Sequence, residues 1–143
     1  VSGLPAFLVA NPGVNSGMMI VQYVAASLCA ENRQLAQPAV LDNYVTSGLQ
    51  EDHLSMGTSA ALKLHRALEN CTQILAIEYL LAAQAFEFLK AQRFGAGTDR
   101  AWRLLRETVP AYDQDRWLAP DIAAAASVLK HPDSLHNVLP NLH

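Results

Sequence analysis

An all-α fold made of long bundle helices is predicted by three features of this 143-residue sequence. From Thr58 to Phe94 there is neither Gly nor Pro, a run of 37 residues. Inside it Leu64, Leu68, Cys71 and Leu75 recur at spacings of four, three and four, the period of one helix face. No segment alternates apolar and polar residues for long enough to read as a strand. The composition agrees: 51% hydrophobic and only 16% charged, against about 25% charged in ordinary soluble domains. A large apolar face covered by something else is therefore expected.

The elements follow in order. Residues 1–16 carry Gly3, Pro5, Pro12 and Gly13 and read as an extended, looping lead-in. Ser16 is placed to cap a helix from about Gly17 to Ala36, which Pro38 stops. A loop from about Pro38 to Ser47 leads to the long run. There, Arg66, Glu69, Asn70 and Gln73 mark a polar side, and between Ile74 and Ala83 the only charge is Glu78. An uninterrupted helix over the run would reach about 55 Å, beyond the roughly 30 Å of a small domain. Either it bends or it runs through something larger. Gly95-Ala96-Gly97 breaks it, Thr98 caps a further helix with Ala101, Leu104, Leu105 and Val109 inward, and Asp113 to Arg116 reads as a solvated turn. Pro120-Asp121 opens a last helix through Leu129, and the tail after His131-Pro132 reads as loose.

Several function classes are excluded at this level. A net charge of −3 is the wrong sign for gathering phosphates, so no nucleic-acid partner is expected. The apolar stretch from Gly17 to Ala30 is broken by Gln22 and Ser27 and is too short to span a bilayer, so no membrane partner is expected. Cys29 and Cys71 stand apart from each other and from any metal-ligand spacing, which points to a reduced, cytoplasmic setting without a metal. The chain starts at Val1 rather than Met, which reads as a processed protein or a fragment.

The densest polar run is Thr46-Ser47-Gly48-Leu49-Gln50-Glu51-Asp52-His53-Leu54-Ser55-Met56-Gly57. Its bland reading is a helix start: Ser47 and Gln50 as a capping box, with Glu51 and Asp52 in the first turn, where the helix dipole favours negative charge. Adjacent residues face different sides of a helix, so the spacing of Glu51, Asp52 and His53 does not by itself make an acid–base site. Glu78, in the most apolar stretch, reads as a buried carboxylate needing a partner across a subunit interface. His65 reads as solvated, and Met18, Met19 and Ile20 as core. His131, His136 and His143 share no metal spacing, and none of the four tyrosines is assigned as a base.

Five runs, in order, resemble the C-terminal part of histidine ammonia-lyases and their aromatic amino acid lyase relatives. These are Gly3-Leu4-Pro5-Ala6-Phe7-Leu8-Val9, Asn15-Ser16-Gly17, Gln50 to Gly57, Leu75-Ala76-Ile77-Glu78, and Asp115-Arg116-Trp117-Leu118-Ala119-Pro120-Asp121-Ile122. The resemblance covers at least Gly3 to Ile122 and identifies residues 1–143 as one C-terminal helical region of a larger, mainly helical lyase fold. It implies a homotetramer whose long helices form a shared bundle, with each active site assembled from more than one subunit. It implies elimination of ammonia from an amino acid by an electrophilic methylidene-imidazolone, formed from an Ala-Ser-Gly tripeptide. It places Glu51 at the substrate pocket and Gln50 at its edge, with histidine as substrate and urocanate as product. A carboxylate suits that place, since it can accept from an imidazole N–H or pair with an ammonium group.

The same comparison shows departures. Ser-Gly occurs at Ser2-Gly3, Ser16-Gly17 and Ser47-Gly48, preceded by Val1, Asn15 and Thr46 and never by Ala. The prosthetic tripeptide and the family's tyrosine base thus belong to a missing N-terminal part, and this chain alone is expected to be inactive, with no catalytic residue of its own. Gly48-Leu49 stands where the family commonly has Ala-Asn, Gln37 where it has His, and Val45 where it has Pro. An apolar Leu49 keeps tyrosine or phenylalanine open as substrates, and with them an aminomutase. A non-catalytic helical assembly module is the reading from a different class.

Overall fold

The computed structural model describes residues 3–41, 44–51, 55–89 and 94–138. Four helices carry the architecture: α1 (Met19–Leu35), α2 (Gly57–Glu87), α3 (Ala96–Arg106) and α4 (Ala119–Lys130). A short α5 (Ser134–Val138) follows, so the segment after Pro132 is not loose throughout. Among the described residues there is no strand, only isolated bridges at Pro12–Asn15 and Thr46–Glu51. No helix among them is long and apolar enough to cross a membrane.

At 31 residues, α2 is about 46 Å long and serves as the axis against which α1 and α4 pack. It ends at Glu87, seven residues before Phe94. The last turn tightens through bonds from the Phe88 N–H to Ala85 O and the Leu89 N–H to Phe86 O. The Phe94 ring then lies 4.6 Å from that of Phe86, whereas a continuing helix would set the two about 12 Å apart along its axis. The chain has turned back. Glu87 at the helix end accepts from Trp102 Nε1 (3.1 Å) and Arg106 Nε (2.8 Å), which joins α2 to α3.

Two apolar clusters meet on α2. One gathers Val9, Met18, Val21, Ile77, Tyr112 and Leu118; the other Ala76, Leu80, Ala83, Leu105, Val109 and Ala125; Ile122 packs against both. Ala123 to Ala126 lets α4 lie close against the small Ala76 and Ala83, and Pro120 and Asp121 start that helix as the sequence predicts. Fully burying each Leu, Ile or Val here contributes about 1.5–3 kcal/mol.

Several expectations about helix ends are corrected. The first helix starts at Met19 rather than Gly17, and Ser16 caps nothing: its N–H and that of Gly17 donate to Asp115. Thr98 lies inside α3, which begins at Ala96 with Gly95 before it and no side-chain cap. The face of α2 is also turned. Its inward stripe runs through Asn70, Ile77 and Gln84, with Ala67 and Ile74 half-buried along it. The expected apolar stripe lies one residue on, which is about 100° around the helix. Leu64 is 60% exposed, Leu68 58% and Leu75 54%, and Cys71 is exposed as well. The physical reason is the facing helix, which presents polar groups at this level: Asn70 Nδ2 donates to Asn32 Oδ1 (3.0 Å) and Arg66 Nε to Glu31 (3.1 Å). The Arg66 bond in particular holds the Glu31 carboxyl below its usual value. Glu78 is not buried but exposed in this chain. Met18 is buried as predicted, whereas Ile20 is half-exposed.

Candidate functional site

The polar run resolves into a tight hairpin ahead of α2. The Thr46 N–H donates to Glu51 O (2.7 Å) and the Glu51 N–H to Thr46 O (3.2 Å), closing the turn. Ser47, Gly48 and Leu49 are successively left-handed, at φ 53°, 65° and 70°. Inside the turn, the Gln50 N–H is shared between Thr46 O (3.1 Å) and Ser47 O (3.3 Å). The capping-box reading is therefore wrong for Ser47 and Gln50. The helix begins at Gly57, with Met56 left-handed at φ 49° before it, and Glu51 lies outside the first turn. Ser47 Oγ instead donates to Glu51 Oε2 at 2.8 Å. Asp52, His53 and Leu54 lie outside the described residues.

Gln50 and Glu51 are both exposed, and Leu49 at the tip is 84% exposed. A groove of about 900 Å³ between α1, α2 and α4 is lined among others by Ile20, Val24, Arg66, Gln73, Trp117 and Ile122, and includes neither Gln50 nor Glu51. With both residues exposed, a substrate held there would need walls from elsewhere. No group of three or more metal-ligating side chains occurs among the described residues.

A second polar constellation was not legible as such. The segment Asp113 to Arg116, expected as a solvated turn, is a clasp. The Asp115 carboxylate accepts from the Ser16 N–H (2.8 Å), the Gly17 N–H (2.9 Å) and the Tyr112 hydroxyl (2.9 Å). Those two backbone donors, above all, hold the Asp115 carboxyl below its usual value, while burial, and then the Asp115 bond, raise that of the Tyr112 phenol. Arg116 lies 5.0 Å above the Tyr112 ring and donates to Ala111 O, Pro110 O and Asp121. Beneath it, buried Gln84 ties three segments: Nε2 donates to Leu8 O (3.1 Å) and Tyr112 O (2.7 Å), and Oε1 accepts from the Tyr112 N–H (2.9 Å).

Gly17 shows why this joint is exacting. At φ 59° a side chain is strained, and a Cβ would lie 2.5 Å from Phe7 O and 2.9 Å from Val9 Cγ1. Asn15-Ser16-Gly17 and Asp115-Arg116, two of the five quoted runs, are the two sides of this contact.

Residues 1–107 match the family described as aromatic amino acid lyase. Over 128 residues the chain is 52% identical to the histidine ammonia-lyase of Symbiobacterium thermophilum, covering 90% of this chain and 25% of that protein. The crystal structure of the histidine ammonia-lyase from Trypanosoma cruzi superposes with a TM-score of 0.90 at 39% identity, over 96% of this chain and 27% of that one. A tyrosine aminomutase from Streptomyces globisporus gives 0.86 at 34% identity, over 96% and 26%. The chain thus spans about a quarter of the length of the relatives it matches.

Proposed function

This chain belongs to the aromatic amino acid lyase family, and on that footing we propose that it is the C-terminal helical part of a histidine ammonia-lyase. In the intact enzyme it supplies one wall of a composite active site and much of a homotetramer interface. The observation that carries the reading is the 52% identity to a histidine ammonia-lyase. It is supported by an exposed carboxylate, Glu51, fixed on a closed hairpin. Glu51 accepts from the substrate's imidazole N–H or pairs with its ammonium group, and Gln50 lies at the edge of the same site. The exposed Leu64, Leu68 and Leu75 become the faces that neighbouring subunits cover.

The family implies a methylidene-imidazolone prosthetic group, and the residues present do not fit its formation. Ser16-Gly17 follows Asn15, has both backbone N–H groups committed to Asp115, and is packed against Phe7. Ser47-Gly48 follows Thr46 and is locked in the hairpin. The group therefore arises in another part of the intact enzyme, and the contribution of this chain is binding and orientation. Taken alone, the 143 residues are inactive, and the intact enzyme works in the cytoplasm.

A second reading has a specific observation behind it. The likeness to the tyrosine aminomutase, together with an aliphatic Leu49 beside Gln50 and Glu51, favours a tyrosine or phenylalanine substrate, or return of ammonia to the neighbouring carbon. Ammonia release by the intact enzyme, offered L-histidine, L-tyrosine and L-phenylalanine separately, distinguishes the readings. Release from histidine with formation of urocanate is the expected outcome. Release from tyrosine or phenylalanine instead would move the assignment. No release from any, in a protein that contains Ala-Ser-Gly, would leave the lyase likeness describing the fold alone.

A further inference from the structure

A glutamate on an open surface spreads over many rotamers, and a substrate that relied on it would have to order it first. Glu51 is not left in that condition. Ser47 Oγ lies 2.8 Å from Glu51 Oε2 and donates to it. The hydroxyl has one proton, so this bond uses its full donor capacity. The backbone that makes the contact is strained. Ser47 holds φ 53°, a region that suits glycine and disfavours residues with a Cβ, and Gly48 follows in the same region at 65°. A glycine at 47 would make the turn without strain, but it would carry no hydroxyl. The serine is not there to cap a helix either, since α2 starts ten residues later. Strain of this kind persists where the surrounding structure gains something from it: Leu49 shares the left-handed turn that the backbone pair closes, and at Ser47 the side chain adds the bond to Glu51.

We infer that Ser47 is a positioning residue for Glu51: it holds Oε2 and leaves Oε1 as the acceptor presented to the amino acid substrate. The inference rests on the reading of Glu51 as a substrate contact. It assigns the left-handed tip a role beyond reversing the chain. The Thr46–Glu51 backbone pair fixes where the glutamate starts, and the serine hydroxyl fixes where its carboxylate ends.

The test uses the intact lyase with L-histidine and four variants: Ser47→Gly, Ser47→Ala, Glu51→Gln, and Ser47→Gly combined with Glu51→Gln. In Ser47→Gly the melting temperature should stay level or rise, because glycine relieves the left-handed strain. Even so, kcat/KM should fall about 10-fold, mainly through KM, the size expected for one hydrogen bond to a charged group. Ser47→Ala, which keeps the Cβ, should show the same kinetic loss. In the Glu51→Gln background the Ser47→Gly change should add nothing, since it acts only through the carboxylate. Unaltered kcat/KM in Ser47→Gly, a loss confined to kcat, or an equal loss with and without Glu51 would each overturn the positioning role. Normal kinetics in Glu51→Gln would overturn the substrate-contact reading itself, and this inference with it.

Discussion

The two halves of α2 have opposite surroundings. From Ala76 to Gln84 the inward face is sealed by α3, α4 and the N-terminal segment, and its one buried polar side chain, Gln84, makes three hydrogen bonds. From Gly57 to Leu75 the arrangement is reversed: polar Asn70 and Arg66 face α1, while Leu62, Leu64, Leu68 and Leu75 look outward. The first region satisfies its groups within the chain. The second leaves apolar area exposed while burying the polar Asn70, and the hairpin with Glu51 precedes it in the sequence. Burial is favourable only when something arrives to cover the surface, and on the reading proposed above partner subunits of the intact enzyme cover it.

The largest expected effect lies in the sealed half. Gln84→Leu would strip the partner from the part-buried Leu8 O and from the buried Tyr112 O and Tyr112 N–H, at about 1–3 kcal/mol each before relaxation. Urea unfolding should therefore show a loss of at least about 3 kcal/mol. A loss under about 1 kcal/mol would mean that water or a backbone shift replaces the amide.

The Asp115 clasp should give a smaller effect with a definite pH dependence. Its folded value is depressed, so it contributes stability above the unfolded aspartate value of about 3.9 and loses it as pH falls through the lower folded value. Asp115→Asn should weaken the protein at neutral pH and flatten its acid destabilisation below about pH 4. Parallel pH curves for the variant and the parent would show that the carboxylate's charge is irrelevant to the joint. Because the group is exposed, solvent screening keeps the effect below that of Gln84→Leu.

The smallest effect on folding belongs to the open half. Leu68→Ser should change unfolding stability by no more than about 0.5 kcal/mol, as exposed substitutions generally do. The same change should weaken assembly of the intact enzyme, seen by sedimentation as a shift toward smaller species. A large folding defect with unchanged assembly would place Leu68 inside the fold of a single chain.

This contrast also explains what the sequence could and could not tell. Helix content and order were readable, because Gly and Pro punctuation and apolar spacing are local. The orientation of α2 was not. The stripe through Leu64, Leu68, Cys71 and Leu75 and the stripe through Ala67, Asn70, Ile74 and Ile77 both step by threes and fours, and only the neighbouring helix decides which turns inward. Apolar content pointed to the first, and it would be the right choice for a face that meets partner subunits. The hairpin departs from its local pattern for a related reason: Ser-x-x-Gln suits a helix start, but the left-handed backbone at Ser47, Gly48 and Leu49 and the Ser47–Glu51 bond make a turn instead. Asp115 looked solvated because its partners are backbone N–H groups about a hundred residues away, which no local pattern announces.

On the reading proposed above, Glu51 is the group through which this chain meets the substrate. The direct measurement is steady-state ammonia release from L-histidine by the intact lyase and by its Glu51→Gln variant, with assembly checked in parallel. A fall in kcat/KM of roughly 10- to 100-fold, the range for losing a hydrogen bond to a charged group, with the oligomer unchanged, is the predicted result. Near-normal kinetics in the variant would contradict it and reduce the hairpin to a structural turn.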